Sequence, residues 1–131
     1  ESATAKHFYN IKYAESIDGI HWNRAGLIAI DYENKDDYAF GRPFVLKEDG
    51  LYKMWYCFRG PYYKIGYAES PDGLNWRRMD NSGFALEPSV EGWDEEMVAY
   101  PFIFKSKKIQ YMLFNGNGYG KTGIGIARLS E

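Results

Sequence analysis

Residues 63–78 read YKIGYAESPDGLNWRR, and the rest of the chain is interpreted from this stretch. Residues 9–24 read YNIKYAESIDGIHWNR and are identical to it at 10 of 16 positions, at an offset of 54 residues. A third and shorter copy, IGIAR, lies at residues 124–128. A strand-like unit that recurs at this spacing predicts a radial or stacked repeat, in which each unit is covered by its neighbours.

The composition favours strands and tight turns. The 131 residues predict one domain and include twelve Tyr, eight Phe, four Trp and fourteen Gly. No segment keeps a helical period, so we expect helix in less than about a tenth of the residues. The net charge of −2 gives no electrostatic case for nucleic acid or an anionic membrane as a partner. No apolar run approaches the ~20 residues that a membrane-spanning helix needs.

Cysteine and histidine usage indicates neither a disulfide within the chain nor a zinc centre. Cys57 is the single cysteine and lies in an apolar strand, which predicts a buried, unreactive thiol. A cytoplasmic location is compatible with it, and no signal peptide is visible. His7 and His21 are isolated. Calcium at the acidic connector 31–37 stays open but lacks the EF-hand spacing, so we expect no metal ion and no cofactor.

The repeat divides the chain into units of a four-stranded sheet. One complete unit has predicted strands at 42–47, 51–58, 63–70 and 74–80. The strand at 51–58 is apolar on both faces and is therefore expected to be covered on both sides. Radially arranged sheets satisfy this pattern, so we predict an all-β fold, a partial β-propeller of about two and a half antiparallel blades. The predicted units are a half blade at 8–30, a full blade at 38–86 and an incomplete blade at 97–131.

Each long copy of the repeat contains the motif Ser-x-Asp-Gly-x-x-Trp. It resembles the Asp-box turn of sialidases but lacks that motif's residue between Asp and Gly. Asp18 and Asp72 are expected to form turns rather than to catalyse, because a repeated motif recurs around a propeller and an active site occurs once. Trp22 and Trp76 are expected to occupy equivalent, largely buried sites. Gly66, which has no side chain, is expected to let the adjacent sheet approach closely.

Several strings, in order along the chain, resemble the five-bladed β-propellers of the arabinanase, levansucrase and invertase superfamily. They are RPFV at 42–45, YKMWY at 52–56 and YAES-x-DG-x-x-W at 67–76. With GWD at 92–94, YP at 100–101 and NGNGYGKTG at 115–123, the chain looks most similar to the C-terminal half of uncharacterised bacterial glycosidase-like proteins. The resemblance implies a carbohydrate-active module, with hydrolysis or phosphorolysis of a glycosidic bond as the reaction.

The superfamily's catalysis implies three carboxylates at the inner strands around the axis. Two carboxyl groups ~5–9 Å apart serve glycoside hydrolysis, and the acid typically has a raised pKa. Members often carry Asp or Glu directly before the inner-strand proline, where this chain has Arg42 and Tyr100. The usual triad therefore does not map onto the chain. A glycosidase-like enzyme and a non-catalytic glycan-binding or structural half-propeller both stay open.

The candidate catalytic residues are Asp94 and Glu96, in the loop before the last unit's inner strand. The alternative is a solvated acidic loop. Arg42 and Tyr100 precede inner-strand prolines and are expected near the axis. The planar fork of Arg42 suits a carboxylate, a phosphate or vicinal hydroxyls, and the alternative is an ion pair with an acidic neighbour such as Glu96.

Three residues of the glycine-rich segment at 115–120 complete the candidate substrate-binding set. Asn115, Asn117 and Tyr119 suit a sugar through amide hydrogen bonds and ring stacking. The alternative is a flexible hairpin, since the segment lacks the Gly-Lys-Ser/Thr ending of a phosphate loop.

The terminal units are expected to leave strand edges and apolar faces uncovered, which invites association. A two-fold homodimer would bring about five blades around one axis and is the commonest oligomer in general. The alternative is that a missing N-terminal half of a longer protein completes the propeller. The expected partners are thus a carbohydrate and a second copy of the chain.

Overall fold

The computed structural model describes residues 5–129, which form three antiparallel sheets. The first sheet has two strands, β1 (Ile11–Lys12) and β2 (Ile28–Ile30). The second has four in sequence order: β3 (Tyr38–Glu48), β4 (Leu51–Arg59), β5 (Tyr63–Ser70) and β6 (Arg77–Arg78). The third has three: β7 (Ala99–Ser106), β8 (Ile109–Asn115) and β9 (Ile124–Arg128). The predicted all-β partial propeller of four-stranded antiparallel blades is confirmed, although β6 is shorter than the strand predicted at 74–80.

Helix is almost absent, as the sequence predicted. The one helical segment of residues 5–129 is α1 (Asn117–Gly120), in the loop between β8 and β9. Gly118 and Tyr119 within it have φ values of 61° and 60°, so it is a tight left-handed turn. No helix in this part of the chain has the length and apolar character needed to cross a membrane.

Strand β4 packs on both of its faces, as its apolar sequence predicted. Met54, Tyr56 and Phe58 form one buried cluster with apolar side chains of the first sheet. Trp55 belongs to a second cluster with side chains of β5 and of the third sheet, among them Ile103. Because side chains alternate across a strand, β4 joins the cores on either side of the second sheet.

The inner strands β3 and β7 carry the same irregularity at their prolines. The strand pairing shifts around Arg42 in β3 and around Tyr100 in β7. Both residues have left-handed φ values, 54° and 60°. Proline has no N–H for the ladder and is tolerated at such a bulge. A non-glycine residue held there costs about 1–3 kcal/mol, so the surrounding structure imposes this conformation in both blades.

Gly66 makes room inside its own sheet, which corrects one expectation. A Cβ atom at this position would lie 2.6 Å from the ring of Tyr56, its partner in β4, and 2.5 Å from Oδ1 of Asp80. Gly125 faces Phe114 of β8 in the same way. These glycines therefore admit an aromatic ring from the next strand, and not the neighbouring sheet.

The two Ser-x-Asp-Gly turns have the same hydrogen bonds. Oδ1 of Asp18 and Oδ1 of Asp72 each accept the backbone N–H groups two and three residues further on, at 2.8 Å. A hydrogen bond with the His21 side chain and these backbone bonds lower the pKa of Asp18. Bonds from Asn75, first its backbone N–H, lower the pKa of Asp72. Both carboxylates serve their own turns, as predicted.

Trp22 and Trp76 share a local contact but differ in burial. Their indole N–H groups donate to the carbonyl oxygens of Gly19 and Gly73, at 3.2 and 3.0 Å. Trp76 is half-buried and packs on the core between the first two sheets. Trp22 is 54% exposed. The expectation of equivalent, largely buried sites was wrong: Trp76 is only half-buried, and Trp22 is exposed because no described residue cluster covers it as the core covers Trp76.

Candidate functional site

One edge of the two larger sheets gathers a line of side chains that we call the tyrosine row. Its members, in spatial order, are Arg42, Tyr100, Tyr119, Tyr63 and Arg59. Antiparallel pairing places the start of β3 beside the end of β4, and the start of β7 beside the end of β8. Strand ends from both sheets and the β8–β9 loop therefore meet at this edge.

Neighbouring members of the tyrosine row are in contact through their aromatic rings. The guanidinium carbon of Arg42 lies 4.6 Å from the ring centre of Tyr100, which stacks on Tyr119 at 5.9 Å between ring centres. Tyr63 meets Tyr119 edge-on at 5.8 Å, and the guanidinium of Arg59 lies 5.4 Å from the ring centre of Tyr63. A cation–π contact is worth about 0.5–1 kcal/mol at an exposed site. The row is thus an ordered set of rings with a cation at each end.

Burial changes along the tyrosine row. Tyr63 is half-buried, and burial raises the pKa of its hydroxyl, with the neighbouring hydroxyls of Tyr9 and Tyr119 adding to the rise. The group therefore stays protonated and offers one donor and an acceptor at neutral pH. Tyr119 is 51% exposed, and Arg42 is also exposed. The Arg42 end of the row is thus the end that is open to a ligand.

Cys57 supports the row from within the protein. Its Sγ accepts a hydrogen bond from the backbone N–H of Tyr100 at 2.9 Å. Burial raises the pKa of this thiol to about 11. Since very little thiolate exists at neutral pH, Cys57 is not a nucleophile and serves to fix the backbone of Tyr100. The buried thiol that the sequence predicted is therefore found.

Two asparagines hold the loops on which the site is built. The side chain of Asn117 is buried, and its Oδ1 accepts the backbone N–H groups of Glu96 and Met97 at 2.8 and 3.2 Å. Nδ2 of Asn115 donates to the carbonyl oxygen of Tyr119 at 3.0 Å. The glycine-rich segment is therefore a clamped loop and not a free hairpin. Asn115 positions Tyr119, and the amide of Asn117 is already engaged inside the protein.

The two candidate carboxylates lie on the loop that Asn117 clamps. Asp94 is 7% exposed, whereas Glu96 is exposed to solvent. Within residues 5–129, no ion pair joins Glu96 to Arg42, so the alternative role of Arg42 as its partner is not found. The structure brings Arg42, Tyr100 and Tyr119 together and leaves the two carboxylates on the adjoining loop.

Arg59 and Tyr63 belong to the site, and the sequence reasoning missed both. They flank the short turn between β4 and β5, which lies between the strands predicted at 51–58 and 63–70. The contact of Tyr63 with Tyr119 depends on how two sheets meet, and no local pattern reports such a contact. The one available signal was position, because Arg59 ends a strand at the same edge where Arg42 lies near the start of its neighbour.

A second arginine site lies between the first two sheets. Arg78 is buried and donates to carboxylate oxygens of Asp80 at 2.6 Å and Asp37 at 2.9 Å. The hydroxyl of Tyr56 donates to Asp80 at 2.6 Å, and burial raises the pKa of this tyrosine. The acidic connector 31–37 thus supplies a counter-ion to Arg78. No group of three or more potential metal ligands occurs in residues 5–129.

Solved structures that match the fold include glycoside hydrolases. A chain described as a glycoside hydrolase matches with a TM-score of 0.71 and 21% identity, over 93% of this chain and 36% of its own length. A chain from a BT0996 RGII complex matches with a TM-score of 0.72 and 21% identity, over 93% of this chain and 36% of its own length. A mutant GH32 beta-fructofuranosidase of Bombyx mori, BmSUC1, in complex with sucrose, matches with a TM-score of 0.66 and 18% identity. The match covers 88% of this chain and 26% of that protein's own length. At these identities the likeness establishes a glycosidase-like β-propeller fold and nothing further.

Curated relatives are found in Mycobacterium tuberculosis. The uncharacterized proteins Rv1502 and MT1551, from two strains, are each 41% identical to the chain over 121 residues. These residues are 92% of this chain and 40% of each relative, so the chain spans about 40% of the length of the relatives it matches. No protein-family model matches the sequence.

Proposed function

We propose that this chain is a glycosidase-like module of the five-bladed propeller type that acts on or binds a glycan at the tyrosine row. The observation that carries the proposal is the succession of ring contacts Tyr63–Tyr119–Tyr100 beside Arg42, at a sheet edge where strand ends and a loop meet. Aromatic faces give sugars a stacking surface at little entropic cost, and a guanidinium fork adds directed hydrogen bonds.

In the catalytic form of the proposal, Asp94 and Glu96 are the acid and the base. Asp94 is buried and Glu96 is exposed, two positions apart on the loop that Asn117 clamps, and glycoside hydrolysis uses a pair of carboxyl groups. Hydrolysis of aryl glycosides tests this assignment. We expect Asp94→Asn and Glu96→Gln each to abolish turnover and to leave glycan binding intact, and turnover by both variants would remove these residues from the mechanism.

The second candidate function is a non-catalytic glycan-binding module. It is favoured by Arg42 and Tyr100, because they stand before the inner-strand prolines where related enzymes often carry carboxylates. A glycan array combined with the aryl glycoside screen separates the two candidates. Binding without turnover selects the module, turnover selects the enzyme, and neither binding nor turnover contradicts the proposal of a glycan site.

We also propose that a second copy of the chain, or the part of a longer protein that corresponds to the rest of its relatives, completes the propeller. Ile17 and Ile20 are strongly exposed on the unit at 8–30, as are Ile124 and Ile126 on the outer face of the unit at 97–131. The unit at 38–86 between them has covered faces on both sides. Light scattering tests the dimer: a mass near twice 15.2 kDa supports it, and a concentration-independent monomer rejects it.

The location proposed for the protein is the cytoplasm, from its single buried thiol. Fractionation of cells that produce the full-length gene product tests this: recovery outside the cytoplasm contradicts it.

A further inference from the structure

Two guanidinium groups at the ends of the tyrosine row have no acidic partner. Within residues 5–129, no carboxylate oxygen lies within 4.0 Å of the side-chain nitrogens of Arg42 or Arg59. The row therefore carries two positive charges in a chain whose net charge is −2. A positive site on a slightly acidic protein attracts an anionic ligand selectively.

Arg59 gives the stronger indication of an anionic ligand, because its unpaired charge is half-buried. Its Nε is inaccessible to solvent and has no hydrogen-bond partner in the structure. Its guanidinium lies between the rings of Tyr38 and Tyr63, at 5.8 and 5.4 Å from their centres. Rings satisfy the cation only in part, and a donor that is buried without an acceptor is unfavourable. An anionic ligand bound next to Arg59 would supply the negative charge that the described part of the chain does not place there.

Arg42 contributes the accessible charge, and its backbone is strained. Its φ of 54° is in the left-handed region, which is uncommon for a residue with a long side chain. Such strain persists where the surrounding structure imposes it and clusters at ligand sites. Here the bulge holds the guanidinium over Tyr100 and leaves it exposed. The free edge of the fork matches a carboxylate, which accepts two parallel hydrogen bonds.

We propose that the tyrosine row binds an acidic oligosaccharide, with the carboxylate of a uronic acid residue held by Arg42 and the sugar rings stacked along Tyr100 and Tyr119. Arg59 supplies a second positive charge at the far end. This inference rests on the proposed function and specifies its ligand class. Neutral sugars offer Arg42 only hydroxyl groups, which are weaker acceptors than a carboxylate.

Isothermal titration with matched pairs of oligosaccharides tests the inference. The acidic members are oligogalacturonides, oligoglucuronides and oligomannuronides, and each neutral partner is the same oligosaccharide after reduction of its carboxyl groups. We expect at least one acidic member to bind, and its reduced form to bind about tenfold more weakly or worse, the loss expected for one charge-assisted hydrogen bond. The affinity should also fall as salt is raised.

Single arginine substitutions test whether the charge preference depends on the tyrosine row. Arg42→Gln should remove the preference for the acidic member, and Arg59→Gln should reduce it. Arg24→Gln, at an exposed arginine of the unit at 8–30, should leave it unchanged. Arg42→Lys keeps the charge without the fork and should restore part of the preference, which a variant that merely misfolds would not do.

Three results overturn the inference. Equal binding of the acidic and reduced members rejects the charge preference but leaves a glycan site standing. Binding of neutral glycans alone does the same. If no member of the set binds and a general glycan array also shows no binding, both this inference and the proposed function are rejected.

Discussion

Arg78 and Arg42 both stack on aromatic rings, and they differ in what neutralises them. The Arg78 guanidinium lies 5.0 Å from the ring centre of Phe40, and its side chain is buried. Three carboxylates are its partners, those of Asp37 and Asp80 and, at 3.9 Å, that of Glu33. Arg42 lies 4.6 Å from the ring centre of Tyr100, is exposed, and has no ion-pair partner within residues 5–129.

The two arginines differ in role: Arg78 stabilises the fold, whereas Arg42 is positioned by the fold and contributes little to its stability. A buried cation that is fully paired belongs to the folded state, because its removal leaves the partner charges buried without compensation. An exposed cation without a partner contributes little to folding. The bulge recurs at Tyr100 and is therefore part of the fold, whereas the unpaired charge that it holds at the surface needs another reason, and a ligand provides one.

The largest expected effect is on the Arg78 side. Arg78→Met keeps much of the contact with the aromatic rings and removes the charge, so Asp37 and Asp80 lose their counter-ion. We expect the free energy of unfolding in a urea titration to fall by about 3–5 kcal/mol. Arg77→Met is the matched control, because the neighbouring Arg77 side chain is 77% exposed and should change the value by less than about 0.5 kcal/mol. A loss under about 1 kcal/mol for Arg78→Met would show that this network does not hold the sheets together.

Gly66 gives the next largest effect, since it makes the space in which Asp80 meets Tyr56. The added methyl group of Gly66→Ala would lie 2.5 Å from Oδ1 of Asp80, so the ring or the carboxylate must shift. We expect a loss of about 1–3 kcal/mol in the same titration. Gly83→Ala is the control, because no atom lies within 4 Å of the added group and the backbone needs no left-handed φ there. Equal stability of the two variants would contradict the close packing described here.

Cys57 predicts a pH effect beneath the tyrosine row. The folded thiol has a pKa of about 11 and the unfolded thiol the ordinary 9.0, so the folded state holds this proton more tightly. This contribution to stability is therefore present below about pH 9 and is lost as the pH rises toward 11. We expect wild-type protein to lose on the order of 1–2 kcal/mol more than Cys57→Ala between these pH values. Tyrosine ionisation affects both proteins equally, so only the difference between them reports on Cys57. If the free energies of unfolding of the two proteins ran parallel with pH, the buried thiol would be contradicted.

The smallest effect is expected from the arginines of the tyrosine row. Arg42→Gln removes one exposed cation–π contact, and we expect the free energy of unfolding to change by less than about 1 kcal/mol. The same variant should lose its preference for acidic oligosaccharides. A destabilisation close to that of Arg78→Met would mean that Arg42 serves the fold, and the contrast between the two arginines would disappear.

The repeat made most of the fold predictable. The repeated strings at 9–24 and 63–78, identical at 10 of 16 positions, predicted the turn geometry. The strand that is apolar on both faces predicted the layer order, because side chains alternate across a strand. Trp22 was mispredicted for a physical reason. The identical motif forms the identical turn, but burial depends on which neighbour lies next to it, and the sequence of the motif carries no information on that neighbour.

The site was predictable only in part. Arg42, Tyr100 and Tyr119 were identified from their places beside prolines and glycines, yet their stacking into one row depends on how two sheets meet. Tyr63 was missed because its partner, Tyr119, is far away in sequence, and Arg59 was missed with it because Arg59 joins the row through Tyr63. The absence of acidic partners around the two arginines, within residues 5–129, is also a property of the folded chain, and it is this absence that points to an anionic ligand.

Chemical modification of arginines by phenylglyoxal, read residue by residue by mass spectrometry, tests the contrast most directly. In the free protein we expect Arg42 to react as fast as the exposed Arg24, and Arg78 to be protected until the protein unfolds. A mixture of the acidic oligosaccharides should protect Arg42 and leave Arg24 reactive, while the carboxyl-reduced mixture should protect neither. Equal reactivity of Arg42 with the acidic mixture, the reduced mixture and no sugar would contradict the account.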